Sequence, residues 1–312
     1  MSATSRRRSR SSNGNSAAER NEAPEAPEPE DTMAHPNLEA PGTRFLRGFA
    51  GLALASLIAV ASSVAAQSAE ADAEDIWPSL QTDLFGARTV VEDHSVVVLE
   101  APYRADDAAL VPLKISLPAA TARSIKRLLL VIDKNPAPLV ADLTFGPAAG
   151  DGERVIETRV RVDMYSNVRA IVETDDGRLA MATRFVKAAG GCSAPALKDT
   201  DAVLAEAGKM QIKHLAATAG GLSEGQIKIR HPQYSGLQLN QLTGYYIPAK
   251  FLRVIDVARD GERVFRLEGG ISLSEDPNIR FTYAAGGDNT LEVTAEDTDG
   301  KIFKGQAGPK GS

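Results

Sequence analysis

Cys192 is the one cysteine of this 312-residue chain, and it follows two glycines in the run Lys187-Ala188-Ala189-Gly190-Gly191-Cys192-Ser193-Ala194-Pro195. A thiolate is a strong nucleophile, and a single cysteine has no partner within its own chain for a disulfide. Exported proteins usually pair their cysteines or lose them, so a lone thiol in a chain with export features points to a group kept for covalent chemistry. Gly190 and Gly191 supply thin backbone free to turn, suited to entering another protein's narrow active site. They read as a flexible arm that exposes Cys192 to partner enzymes and to small alkylating reagents. Lys187 is placed to favour the thiolate. The competing reading is an incidental thiol on a glycine-rich linker, because Gly-Gly-Cys is a short pattern.

No other constellation competes with that thiol. The four histidines, His35, His94, His214 and His231, are scattered without metal-ligand spacing. The sequence therefore predicts no metal, no cofactor and no catalytic set of its own. A Cys-His pair would need a histidine that only the fold can bring near. Asp175-Asp176-Gly177 and Glu296-Asp297-Thr298-Asp299-Gly300 lack the oxygen-ligand register of a calcium loop and read as hairpin turns. Tyr234, Tyr245 and Tyr246 lie among prolines that exclude central strands, and they read as a docking surface or as packing under a loop.

A net charge of −6 argues against nucleic acid as a partner. The one dense basic run, Arg6-Arg7-Arg8-Ser9-Arg10, falls in residues 1–43, which are Arg/Ser-rich and then Ala/Pro/Glu-rich and read as a disordered extension. Residues 44–66 have the order of a secretory signal peptide: Arg44 and Arg47, an apolar run from Gly48 to Val60, then small residues up to Ala66. Membrane contact is expected only through that segment. The implied destination is the periplasm, by the general export route rather than the twin-arginine one.

Hydrophobic periodicity decides the fold class. Between Ser95 and Val186 come seven short β-type segments: Val96–Glu100, Val111–Leu117, Ile125–Ile132, Leu139–Phe145, Val155–Val162, Val168–Thr174 and Arg178–Val186. Val111, Leu113, Ile115 and Leu117 share one face, as do Ile156, Thr158, Val160 and Val162. A second set starts near Gln226, with Arg259-Asp260-Gly261 and Thr298-Asp299-Gly300 as turns. The predicted architecture is all-β, two immunoglobulin-like β-sandwich domains in tandem at 76–192 and 226–305. Residues 193–225 read as a linker, with a short helix begun by Thr200 or Asp201 and broken by Gly220-Gly221.

Several longer runs carry a family resemblance. The first half resembles SoxY, through Val98-Leu99-Glu100-Ala101-Pro102, Ile132-Asp133-Lys134-Asn135-Pro136-Ala137-Pro138-Leu139, Phe145-Gly146-Pro147, Val168-Arg169-Ala170 and Gly190-Gly191-Cys192. The second half resembles SoxZ, through Arg230-His231-Pro232, Gly236-Leu237 and Ile247-Pro248-Ala249-Lys250-Phe251. The chain is thus similar to a fused SoxYZ-like sulfur carrier of the group associated with quinoprotein dehydrogenases. The resemblance implies a non-enzymatic periplasmic protein that holds sulfur intermediates of thiosulfate oxidation on Cys192. It implies sulfur-oxidation-type enzymes, haem cytochromes or a quinoprotein dehydrogenase as partners. The alternative is a docking or accessory module with no cargo on the cysteine. In SoxY the cysteine ends a free tail, Gly-Gly-Cys-Gly-Gly. Here a second domain follows, so the arm is pinned at both ends and Pro195 stiffens it.

Overall fold

The computed structural model describes residues 75–195, 200–218, 221–286 and 288–308. The predicted extension at 1–43 and the signal peptide at 44–66 lie outside the described residues.

The first half opens with a helix, α1 (Trp77–Phe85), and continues as strands β1 (Val90–Glu92), β2 (Val98–Glu100) and β3 (Val111–Leu117). After a one-turn helix α2 (Ala119–Ala122) come β4 (Ile125–Ile132), β5 (Leu139–Phe145), β6 (Arg154–Val160), β7 (Ser166–Thr174) and β8 (Leu179–Val186). The second half holds helix α3 (Thr200–Glu206) and strands β9 (Met210–Thr218), β10 (Leu222–Ile229), β11 (Leu252–Arg259) and β12 (Glu262–Gly269). Strands β13 (Asn278–Ala284), β14 (Leu291–Asp297) and β15 (Ile302–Ala307) complete it.

These strands form two sheets, and both run through both halves. One has nine strands in the order β1-β8-β7-β4-β5-β12-β11-β14-β15, the other six in the order β2-β3-β6-β13-β10-β9. The tandem β-sandwich expected from the sequence is present, with its two domains fused edge to edge. Antiparallel β5 and β12 match Leu143 with Leu267, and β6 meets β13 at Ile156 and Phe281. An unpaired sheet edge exposes a row of backbone donors and acceptors, and each half closes two such edges of the other. Phe265 and Phe281 meet edge to face across the two sheets, with ring centroids 5.2 Å apart, in a core drawn from both halves.

Strand β4 shows why α1 exists. Leu128, Leu130 and Ile132 point into the core between the sheets, while Leu129 and Val131 point outward beneath Trp77 and Phe85. Both faces are apolar, so the outer one needs a cover. On that face Arg169 makes a buried ion pair with Asp133, Nη2 to Oδ2 2.7 Å, and lies 4.2 Å from the Trp77 ring centre. Asp133 begins the turn whose Asn135 reaches the site described below.

The linker expected over 193–225 needs correction. The short helix is there, but β9 is an edge strand of the six-stranded sheet, paired with β10 through Ile212 and Ile227. Met210, Ile212 and His214 alternate with the more exposed Gln211, Lys213 and Leu215. An edge strand with one half-covered face needs few apolar residues, so its composition looks like a linker's. Helix α1 and the three-residue β1 likewise fall before the segments predicted from periodicity.

Because the sheets are shared, the described body should unfold in one cooperative transition, seen together by calorimetry and circular dichroism. Two separated transitions would show that the halves unfold independently. Phe265→Ala should lower that single transition by about 3–5 kcal/mol, the range for a large aromatic deleted from a packed core.

Candidate functional site: a covered thiol between the two halves

The strap after β8 does not project. Lys187 N–H donates to Tyr103 O and Ala105 N–H to Lys187 O, so the chain leaves the sheet tied to the segment after β2. It then follows the segment that continues β6. Gly190 N–H donates to Asp163 O at 2.8 Å, Gly191 N–H to Val162 O at 3.0 Å and Cys192 N–H to Asp163 Oδ1 at 3.2 Å. Cys192 is 0% exposed.

The expectation of a slender, exposed arm is therefore overturned for this conformation, and the two glycines serve a different purpose. A Cβ on Gly191 would lie 2.2 Å from Ala108 O and 2.7 Å from Val162 O. Glycine is needed there for close approach to backbone. Gly190 sits at φ +79°, in the left-handed region where glycine carries no Cβ penalty, and turns the chain. Lys187 has its ammonium 5.2 Å from the Tyr103 ring centre, engaged away from the sulfur whose ionisation it was expected to help.

The second half closes over the strap from the other side. Ser235 Oγ donates to Cys192 O, and Gln238 Nε2 donates to Ala194 O at 3.0 Å. Arg161, 2% exposed, ties the halves together: its Nη1 donates to Gly191 O at 3.1 Å and its Nη2 to Gln233 O at 3.3 Å. Arg161 N–H in turn donates to Ser272 O at 2.8 Å. Asn135, from the Asp133 turn, donates through Nδ2 to Arg161 O and to Ser272 Oγ and accepts at Oδ1 from Asp163 N–H. One asparagine thus holds both strap-bearing segments.

Burial is the main reason the Cys192 thiol is pushed up from 9.0 to about 11, with the Asp163 carboxylate adding to it. Arg161 and the Ser272 hydroxyl pull the other way and lose. At neutral pH the sulfur is a neutral thiol shielded from water, a poor nucleophile while the strap is closed.

The remaining candidate residues lie elsewhere. His231 is buried beside Asp297, Nε2 to Oδ2 3.8 Å, accepts at Nδ1 from Gln233 N–H, and is held neutral chiefly by burial. His214 meets the Tyr283 hydroxyl at 2.7 Å, and His94 lies near Glu92. None of the three is a hydrogen-bond partner of Cys192 among the described residues. The three tyrosines divide: Tyr234 is 4% exposed and packed, whereas Tyr245 and Tyr246 are 78% and 69% exposed. Asp175-Asp176-Gly177 forms the turn between β7 and β8, as expected. Arg161, Asn135, Ser235 and Gln238 were missed by site reasoning. The signal for them was that Asn135 falls inside one quoted family run, while Ser235 and Gln238 directly flank another, Gly236-Leu237.

Fold and site together define a tandem β-sandwich protein built around one covered thiol at the seam of its halves. Residues 81–192 match the family model described as sulfur oxidation protein SoxY, and residues 211–308 match that described as sulphur oxidation protein SoxZ. The chain belongs to the SoxYZ sulfur-carrier family, as a fusion of its SoxY and SoxZ domains. No curated protein matches it in sequence. Among solved structures, the sulfur carrier protein SoxY from Chlorobium limicola f thiosulfatophilum is 22% identical over 39% of this chain and 99% of its own, with a TM-score of 0.30. A β-glycosidase from Bacteroides vulgatus is 10% identical over 69% of this chain, which spans only 25% of it, with a TM-score of 0.22.

Three expectations follow from this geometry. Near pH 8 the raised pKa alone should make native Cys192 react with iodoacetamide about a hundredfold more slowly than the same cysteine in denaturant, and equal rates would refute the covered site. Because the fold favours the neutral thiol, the thiol's contribution to strap closure is fully present below about pH 9 and is lost as pH rises through about 11, seen as a rise in native alkylation beyond that expected from thiol ionisation alone. Gly191→Ala, by forcing the strap off Ala108 O, should raise native reactivity at least about tenfold, the effect of some 1.4 kcal/mol on strap closure.

Proposed function

We propose that this protein is a periplasmic carrier that holds a sulfur-containing intermediate on Cys192 Sγ and presents it to partner enzymes. The observation that carries this reading is the position of the thiol. Cys192 closes the SoxY match at its last residue, and segments of both family halves converge on the strap that bears it. Its cargo would be joined by a sulfur–sulfur bond. Coupling the thiol to thiosulfate gives a cysteine S-thiosulfonate, one proton and an electron pair, and those electrons must leave through a partner redox protein of the haem cytochrome kind. Partners of the sulfur-oxidation type, or a quinoprotein alcohol dehydrogenase, would act on the sulfur once the strap is lifted.

Lifting is a requirement of this reading, since a sulfur without exposed surface reaches no other active site. The hydrogen bonds from Ser235, Gln238 and Arg161 to strap carbonyls each contribute on the order of 1 kcal/mol, an amount that docking of a partner can offset. The burial of Cys192 also favours a second reading, a docking or accessory module for a dehydrogenase or cytochrome with nothing carried on the cysteine.

Intact mass separates the two. Protein purified from periplasm without reductant should carry sulfur-containing adducts that vanish on reduction and are missing from Cys192→Ser. An unmodified mass under sulfur-oxidising growth, with growth unimpaired in Cys192→Ser, would establish the docking reading instead.

A further inference from the structure

Arg161 is chemically out of balance. It is 2% exposed, yet among the described residues it makes no ion pair, and its Nε has no hydrogen-bond partner. Its two bonds go to the neutral carbonyls Gly191 O and Gln233 O. A buried guanidinium ordinarily finds a carboxylate, as Arg169 finds Asp133 in this same fold, because desolvating an unpaired charge is costly. Desolvation pushes the Arg161 guanidinium down, with Cys192 first among the groups opposing it, followed by Glu275 and Asp107.

Arg161 also lines a cleft of about 1030 Å³ between the halves, which reaches the strap at Ala194 and Pro195. Within its described lining Glu206 pairs with Lys209 and Asp276 with Arg230. Over the whole of that lining Arg159, Arg161, Lys209, Lys228 and Arg230 stand against Asp107, Glu206, Glu275 and Asp276, a small excess of positive charge. When Gly191 O lifts away, Nη1 is released on the end of the guanidinium, while Nε is idle on its side edge, so the group has N–H donors to offer a new acceptor. A planar guanidinium with free N–H groups is the side chain best shaped for an oxyanion.

We infer that Arg161 is the anion-holding residue of the Cys192 site: with the strap loosened, its guanidinium takes the oxyanion end of a group attached to, or approaching, the cysteine sulfur. The inference rests on the carrier reading only for the claim that such a group is natural cargo. Arg161 would act as a positioning and specificity residue, selecting sulfur species that end in a negative charge and replacing its carbonyl contacts with a charged one. Asp163, which accepts from Cys192 N–H, opposes the anion, so the preference depends on Arg161.

The test compares two alkylating reagents of nearly equal size, iodoacetate and iodoacetamide, on the full chain under native conditions. The same thiolate displaces iodide in both reactions, so strap opening and thiol ionisation cancel in the ratio of rates. Arg161→Gln should lower the iodoacetate-to-iodoacetamide ratio about tenfold, as expected for one charge-assisted contact in a sheltered site, and Arg161→Lys should keep most of it. In the wild type, inorganic sulfate should slow iodoacetate more than sodium chloride of equal ionic strength does, a comparison that needs no variant to fold. Equal ratios in wild type and Arg161→Gln, or sulfate acting no differently from chloride, would overturn the assignment. Adduct-bearing periplasmic protein with unchanged ratios would sink the anion site and keep the carrier. A charge-dependent ratio with no adduct would do the reverse.

Discussion

Removal of water from one sulfur atom is the constraint on which the site turns. Cys192 is covered because backbone on each side of it is held: Gly190, Gly191 and Cys192 donate to Val162 and Asp163, while Ser235 and Gln238 donate to the carbonyls of Cys192 and Ala194. Desolvation then sets the thiol's ionisation, outweighing the nearby Arg161. A carrier in this state is protected from adventitious oxidation and alkylation, because both need the thiolate and access. Reactivity becomes a property of strap position rather than of the cysteine itself.

That arrangement needs the two halves fixed relative to one another, and the joined sheets do this. Pairing of β5 with β12 over five residue pairs and of β6 with β13 over two carries both sheets across the seam. The segment carrying Arg161 to Asp163 continues from β6 on one side of the seam, and Ser272 lies between β12 and β13 on the other. Arg161 N–H to Ser272 O and Asn135 Nδ2 to Ser272 Oγ bind these together. Segments shared with the SoxY and SoxZ families thus meet around the strap: the Asp133 turn from one, the stretch after His231 from the other. Their polar residues satisfy buried backbone groups that would otherwise be stranded.

The carrier chemistry and the covered thiol are compatible if the strap has two positions. Pinning the cysteine at both ends shortens its reach compared with a free tail. It also lets a second domain clamp it, since Ser235 and Gln238 lie in the same chain and need no association step. Arg161 keeps a buried Nε without a hydrogen-bond partner among the described residues in the closed position. In a two-position device such a group marks where the open position gains its own contacts.

Much of the fold could be read from residue pattern. Three strands, Val111–Leu117, Ile125–Ile132 and Leu139–Phe145, fall at the predicted bounds, and most others differ only at their ends, because a period of two is a local property of a half-buried strand. The lone cysteine, its glycines and the family runs were also plain in the sequence, since each depends on residue identity alone. The edge strand β9 was not, because Met210, Ile212 and His214 gain their meaning from β10 beside them. Exposure of Cys192 and the use of its glycines were decided by tertiary structure. Two glycines permit a loose arm and a tight backbone contact equally, and only the presence of Ala108 O and Val162 O against Gly191 selects the contact. The state of the sulfur was fixed the same way. Its chemistry is written in one residue, but its desolvation comes from groups some 30 to 80 positions away in the chain, brought together by sheets that the two halves complete for each other.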